Sequence, residues 1–300
     1  MNSSVDSKVL NVSDVIALVG AGRHPEYPTS HVYLWYVKSR RLREIACQAS
    51  IKSVTQRCNR LVVVLDHSTD VYDTSEGSIN NSHSHYEDQP PLLLRSYKTS
   101  SNPKGLVCVS KGNGVDCIAC LGEVKGSILV ETADGKTQIT LNAFKKTGVA
   151  AMALSIDGSL LAATSEKGTS VCVFSTSSGD RLRELRRGSS TASVYSLSFN
   201  HTMKYVALSS DKLTVHVFLV VNDLHSGHND NDAEGGMTAT STKSLAQIRD
   251  IKSPSLCSFD NRANKLHVLA AGGGYRSYDF EEQEMTGVLT VYPSKSSSSY

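Results

Sequence analysis

Four arginines lie within seven positions of one another in RLRELRRGSS (181–190): Arg181, Arg183, Arg186 and Arg187. A planar guanidinium presents a fork of N–H donors that fits phosphate oxygens in pairs, so such a cluster points to anion recognition. The bland alternative is a solvated edge strand whose charges blunt aggregation. Adjacency separates the two readings. On an extended chain neighbouring side chains point to opposite sides, so Arg186 and Arg187 would serve two separate pockets. Ser165 and Thr169 precede the pair, and Ser210, Thr214 and His216 follow it. Hydroxyls and an imidazole donate to phosphate oxygens without adding bulk. The sharp expectation is two pockets of similar make-up, Ser165, Thr169 and Arg186 in one and Arg187, Ser210, Thr214 and His216 in the other.

No other motif carries chemistry as well. Cys117 and Cys120 match C-x-x-C, but zinc wants a second pair and a redox site wants a βαβ setting, so buried strand cysteines are expected. His83 and His85, with His67 nearby, read as solvated loop residues, and no metal is expected. Gly20–Arg23 and Gly272–Gly274 lack the spacing of phosphate loops and read as strand-terminal turns. No nucleophile–base grouping is visible, so neither an enzyme nor a cofactor is expected. Formal net charge is +2 and aromatics are 6%. That balance, without a basic stripe interleaved with aromatics, argues against a nucleic-acid surface, and any anion binding must be local.

What must position the arginines is strand structure. Short apolar or alternating runs recur, among them VIALVG (15–20), HVYLWYV (31–37), RLVVVL (60–65), LLAATS (160–165), SVCVFS (170–175), YVALSS (205–210), TVHVFLV (214–220) and KLHVLAA (265–271). Gly, Ser, Asn and Asp break them, and no capped 3.6-residue stripe appears, so the chain is all-β. The runs also repeat. Strand, Asp157-Gly158 turn, strand and strand in 149–174 correspond to strand, Asn200-His201 turn, strand and strand in 194–218, and SEKGT (165–169) aligns with SDKLT (210–214). A period near 45 residues with several strands per unit marks a WD40-like β-propeller, with about six blade units visible. Residues 1–300 read as a single propeller domain, interrupted by long polar loops at 66–90 and 222–243 and ending in a disordered Ser-rich tail, 294–300. Seven scattered cysteines, an amino end without an apolar core, and no run near 20 apolar residues read as a soluble cytoplasmic protein.

At LRRG (185–188), with SEKGT before it and SDKLTVHVF after it, the chain resembles the PROPPINs, seven-bladed WD-repeat propellers of autophagy whose diagnostic motif is Phe/Leu-Arg-Arg-Gly. ALVGAGRHPEYPTSHVYLWYVKSRRLREI (17–45) is similar to the family's second blade and NRLVVVL (59–65) to its third, which leaves the first blade without a counterpart at the amino end. The resemblance implies binding of phosphatidylinositol 3-phosphate and phosphatidylinositol 3,5-bisphosphate at two rim sites. Ser165, Thr169 and Arg186 would belong to the first, and Arg187, Ser210, Thr214 and His216 to the second. It further implies a membrane-insertion loop at 222–243, where Leu224 and Met237 are the apolar anchors. The implied partners are phosphoinositide-containing membranes and autophagy machinery such as a lipid-transfer protein. The implied location is cytoplasmic and peripheral, on phagophore, preautophagosomal, endosomal or vacuolar membranes.

Departures from the pattern fall at Phe144, where the family often has His, at Cys172, where it usually has Arg, and at Leu213, where it usually has Gly. They keep open a second reading: a WD-repeat protein-interaction scaffold with a degenerate lipid site.

Overall fold

The computed structural model describes residues 14–20, 27–57, 59–75, 90–110, 112, 117–132, 137–220, 242–260, 264–282 and 289–293. The expectations for His83, His85, Leu224, Met237 and the tail 294–300 lie outside these residues. Every helix or strand element among the described residues is a strand, and the strands form six sheets. Two compact units divide the chain, residues 1–106 and 107–300.

In the first unit, β1 (Val15–Val19), β2 (His31–Tyr36) and β3 (Arg41–Ala46) form a three-stranded antiparallel meander. A four-stranded one follows: β4 (Ser53–Arg57), β5 (Arg60–Val64), β6 (Ser68–Asp73) and β7 (Leu92–Lys98). Period-two alternation places Val32, Leu34 and Tyr36 on one face of β2, where they pack on Leu61, Val63 and Leu65.

The second unit holds four sheets. The third comprises β8 (Val107–Val109), β9 (Ile118–Leu121), β10 (Ile128–Glu131) and β11 (Gln138–Leu141). The fourth comprises β12 (Val149–Leu154), β13 (Leu160–Ser165), β14 (Ser170–Ser175) and β15 (Arg181–Arg186). In the fifth, β16 (Val194–Phe199), β17 (Tyr205–Ser210) and β18 (Val215–Leu219) are completed by β20 (Ala246–Ile248). Between them β19 (Thr242–Lys243) crosses over to pair parallel with β15 of the fourth sheet. The sixth sheet comprises β21 (Ser255–Phe259), β22 (Lys265–Ala270), β23 (Tyr275–Glu282) and β24 (Leu289–Pro293).

Central strands of the fifth sheet are apolar on both faces because that sheet packs between the fourth and the sixth. On β17, Val206 and Leu208 pack toward the fourth sheet, while Tyr205 and Ala207 pack toward the sixth. Antiparallel meanders stacked face to face in this way are the blades of a β-propeller.

Two boundaries differ from the sequence reading. The polar stretch 66–90 contains β6: Thr69 and Val71 are buried, and the Asp70 carboxylate accepts a 2.5 Å bond from the Ser96 hydroxyl. Paired polar groups can therefore sit in a strand whose composition looks like a loop. The end of 222–243 likewise supplies β19. Cys117 and Cys120 are buried, as a C-x-x-C in a strand predicts, and burial pushes the Cys117 thiol up to about 11.

Candidate functional site

The two repeated turns set the site. In each, the first serine carbonyl accepts a bond from the fourth residue: Gly168 N–H to Ser165 O at 2.8 Å, and Leu213 N–H to Ser210 O at 3.2 Å. The fourth residue is left-handed in both, with φ 61° at Gly168 and 54° at Leu213. The acidic second residue ties its turn to the segment entering the same sheet. Glu166 accepts from Gly148 N–H at 3.0 Å, and Asp211 accepts from Ser193 N–H at 3.1 Å. Each carboxylate also pairs with a lysine, Glu166 with Lys125 at 3.5 Å and Asp211 with Lys212 at 3.8 Å.

Arg187 reaches back into the first turn. Its backbone N–H bonds Thr169 O at 2.9 Å, its Nε donates to Gly168 O at 2.6 Å, and a terminal guanidinium nitrogen donates to Ser190 O. The residue is buried, and burial lowers its pKa while Asp211 opposes that shift. Arg186, one residue earlier on β15, is exposed and in register with Ser170 and with Lys243 of β19. Strand alternation thus separates the pair as adjacency requires, but the two do unequal work. Arg187 also staples the turn through its bonds to Gly168 O and Ser190 O, whereas Arg186 has its side chain in the open.

Around Arg187 the second group assembles. His216 is buried on β18, between Leu208 and Gln247 in register, and stacks on Phe218 with ring centroids 6.0 Å apart. Its Nδ1 lies 3.3 Å from the Ser244 hydroxyl. Burial first, then Arg187 and Arg249, push its pKa down to about 4, so the imidazole is neutral at physiological pH. Arg249 is held by two bonds to Gln247 Oε1, at 3.2 and 2.7 Å, and Gln247 Nε2 donates to Ser244 at 3.0 Å. Ser210 is buried, and its hydroxyl accepts a long bond from Lys212 N–H, 3.4 Å. The Thr214 hydroxyl turns back to Lys212 O at 3.2 Å. Arg249 is absent from the sequence reading; it lies 62 residues beyond Arg187 and immediately past β20, two residues after Gln247, the register partner of His216.

The first group opens on a cavity of about 680 Å³ lined by Ser165, Ser170, Phe144 and Cys172. Neither Thr169 nor Arg186 is in that lining: Thr169 serves Arg187 through its carbonyl, and Arg186 stands in register with Ser170, which does line it. Lys145, Lys146, Lys167 and Arg181 also line it, against one carboxylate, Glu184. Arg181 pairs with Glu184, which sits in register with Cys172. Burial raises the Cys172 thiol to about 11, so it offers neither charge nor a strong donor. The lysines carry the positive excess here. Lys145 and Lys146 sit in the linker before β12, where an isolated Lys-Lys pair gave the sequence reading nothing to hold.

Two turns, two arginines and a returning segment therefore meet at the boundary of the fourth and fifth sheets. The PROPPIN family model matches residues 10–245. The chain belongs to the PROPPIN family. SVP1-like protein 2 of Neurospora crassa is 36% identical over 213 residues, 70% of this chain and 45% of that protein. Autophagy-related protein 18e of Arabidopsis thaliana is 31% identical over 222 residues, 73% of this chain and 55% of that protein. The chain spans about half the length of these curated relatives. Among solved structures, Kluyveromyces lactis Hsv2 superposes with a TM-score of 0.70 at 18% identity, covering 96% of this chain and 84% of that one. KlAtg21 in complex with the coiled-coil of AgAtg16 gives 0.67 at 21%, covering 93% and 80%.

Proposed function

We propose that this PROPPIN is a phosphoinositide effector. It docks on phosphatidylinositol 3-phosphate and phosphatidylinositol 3,5-bisphosphate and is recruited from the cytoplasm to phagophore, endosomal or vacuolar membranes in autophagy and endolysosomal trafficking. It binds and transforms nothing. The observation that carries the reading is the burial of Arg187 and His216 together at the boundary of the fourth and fifth sheets, with Arg249 near enough for its charge to bear on the imidazole. Two guanidinium groups facing an uncharged imidazole and a hydroxyl form a cluster whose repulsion an anion relieves. A phosphate there accepts from Arg187, Arg249 and His216. The lysine-lined cavity beside Arg186 takes a second head group, and two weak contacts on one surface multiply through effective concentration. The names of the relatives support an autophagy setting, and the KlAtg21 complex supports recruitment of further machinery, a lipid-transfer protein among the candidates.

The test is flotation with liposomes carrying either phosphoinositide or neither. Arg186→Thr and Arg249→Thr, both at exposed positions, are compared with wild type. Lipid-dependent flotation that drops in both variants supports the reading, and flotation that ignores the lipid overturns it. A scaffold reading is favoured by one observation, the Arg181–Glu184 pair inside the first cavity. It predicts that Arg186→Thr leaves flotation unchanged.

A further inference from the structure

The rims of the fourth, fifth and sixth sheets correspond by register. His216 on β18 opposes Leu208, two residues before the end of β17, and Arg276 on β23 opposes Val268, two residues before the end of β22. Arg187 lies two residues past Leu185 and Asp250 two residues past Ile248, and Leu185 and Ile248 pair with the equivalent Val171 and Val215. At the boundary of the fifth and sixth sheets, then, Asp250 stands in the place of Arg187 and Arg276 in the place of His216. These two meet directly. Arg276 donates to the Asp250 carboxylate and, at 3.2 Å, to the Asp250 carbonyl, while the Tyr278 hydroxyl donates to the other carboxylate oxygen at 2.9 Å. The turn beside them is stripped of side chains. Where the earlier turns carry Glu166-Lys167 and Asp211-Lys212, this one carries Ala271-Gly272, closed by Gly273 N–H to Ala270 O at 2.9 Å. A Cβ added at Gly272 would meet only Ser253 Oγ, 3.9 Å away, and one at Gly273 would meet nothing within 4 Å.

That open space is a cavity of about 250 Å³, lined by Asp250, Ile251, Lys252, Ser253, Val268 and Arg276 and edged by Gly272 and Gly274. It shares no residue with the two groups described above. Two cations face one carboxylate, and both oxygens of that carboxylate are already engaged. Among the described residues, the Lys252 ammonium, the Ser253 hydroxyl and the Nε and second terminal nitrogen of Arg276 hold no partner. We infer that this pocket is a third oxyanion site and takes a phosphate monoester, whose oxygens accept from Arg276, Lys252 and Ser253. Asp250 is a positioning residue: with Tyr278 it fixes one edge of the guanidinium and leaves the other edge to the ligand. Its charge also opposes the ligand, so the site is weaker than one built of cations alone. The volume is just below the roughly 300 Å³ at which pockets begin to take drug-sized ligands, which suits one phosphorylated ring. The ligand class is therefore an inositol phosphate, either free or as a lipid head group.

The experiment is calorimetric titration of the full chain with inositol 1,3-bisphosphate in an Arg186→Thr, Arg249→Thr background, which weakens the other two pockets and leaves this one whole. The background should still bind the probe, and adding Lys252→Ala should weaken that binding about tenfold, the worth of one charge-assisted bond. Gly272→Asp keeps every donor and sets a carboxylate at the open rim, so it should weaken binding as much. Both positions are exposed, and circular dichroism checks that the fold survives. Liposomes carrying phosphatidylinositol 3-phosphate separate the two sources. Flotation of the background that Gly272→Asp abolishes identifies a membrane head group, and soluble binding without flotation identifies a free inositol phosphate; either upholds the pocket. No binding in the background, or binding that ignores both substitutions, overturns the inference. Normal wild-type binding that vanishes in the background would leave the phosphoinositide reading of the arginine sites standing. Flotation that ignores Arg186 and Arg249 but falls with Gly272→Asp would do the reverse.

Discussion

Replacing His216 by Gln should flatten the acid sensitivity of the protein. In the folded chain burial, Arg187 and Arg249 hold the His216 pKa at about 4, against about 6.5 in an unfolded chain. Between those values the unfolded state carries the proton and the folded state does not, so stability rises with pH across that window and is lost as pH falls through it. The full difference is worth roughly 3 kcal/mol, of which about 2 kcal/mol is lost between pH 7 and pH 5. Gln keeps a polar group near Ser244 and removes the titration. Urea unfolding followed by circular dichroism at both pH values should show wild type losing about 2 kcal/mol more than the variant. The same electrostatics make a binding prediction. A phosphate between Arg187 and Arg249 raises the His216 pKa, so inositol 1,3-bisphosphate should take up a proton on binding near pH 5.5 and bind more tightly there than at pH 7. Calorimetry in buffers of different ionisation enthalpy measures the uptake. Parallel pH dependences in wild type and variant would refute the placement of His216 between the two arginines.

Leu213→Gly should stabilise the protein by up to about 1 kcal/mol, since a left-handed φ of 54° costs a branched residue roughly 1–2 kcal/mol and glycine little; a thermal melt checks it. Gly168→Ala should go the other way by about 2 kcal/mol or more, because its Cβ would stand 2.1 Å from Ala192 O; the same melt shows it. Cys172→Arg, tested at the lysine-lined cavity, should tighten head-group binding about tenfold, the worth of one charge-assisted bond; titration with soluble inositol phosphates reads it, and unchanged affinity would place the head group elsewhere. Cys117, Cys172 and Cys257, with thiols raised to about 11 by burial, should resist alkylation at pH 7.5 until the chain is unfolded, as mass spectrometry will show.

Legibility in the sequence followed burial. Strands covered on both faces, such as LLAATS and YVALSS, stand out as apolar runs and are β13 and β17. The outermost strands β3 (RLREIA) and β7 (LLLRSYK) expose most of their side chains, and β11 (QITL) half of them, so they carry charge or no clean period. The turns obeyed the same logic. Asp157-Gly158 is readable because Gly158 takes φ 77°, but the equivalent position in the next repeat is Met203 at 63°, as Leu213 is to Gly168. Where a repeat keeps the backbone and loses the glycine, composition no longer announces the turn. At the site, the Ser-x-x-x-Thr spacing and the arginine pair were visible because they are local. Arg249, Ser244 and the lysine linker were not, because only the crossover of β19 and the stacking of blades bring them near.

Two arginines adjacent in sequence end in different surroundings. β15 is the outer strand of the fourth sheet, so Arg186 faces the cavity side of its own blade beside Ser170. Arg187 lies just past the strand end, where the chain leaves for the fifth sheet, and its guanidinium turns into the boundary between the two blades. The first turn needs its glycine, because a Cβ at Gly168 would stand 2.1 Å from Ala192 O, whereas the neighbouring turn holds Leu213 at the same left-handed φ. With the Arg187 fork bonded to Gly168 O and Ser190 O, Arg187→Lys, which keeps the charge and loses the fork, should weaken both stability and anion binding, whereas Arg186→Lys should leave stability alone.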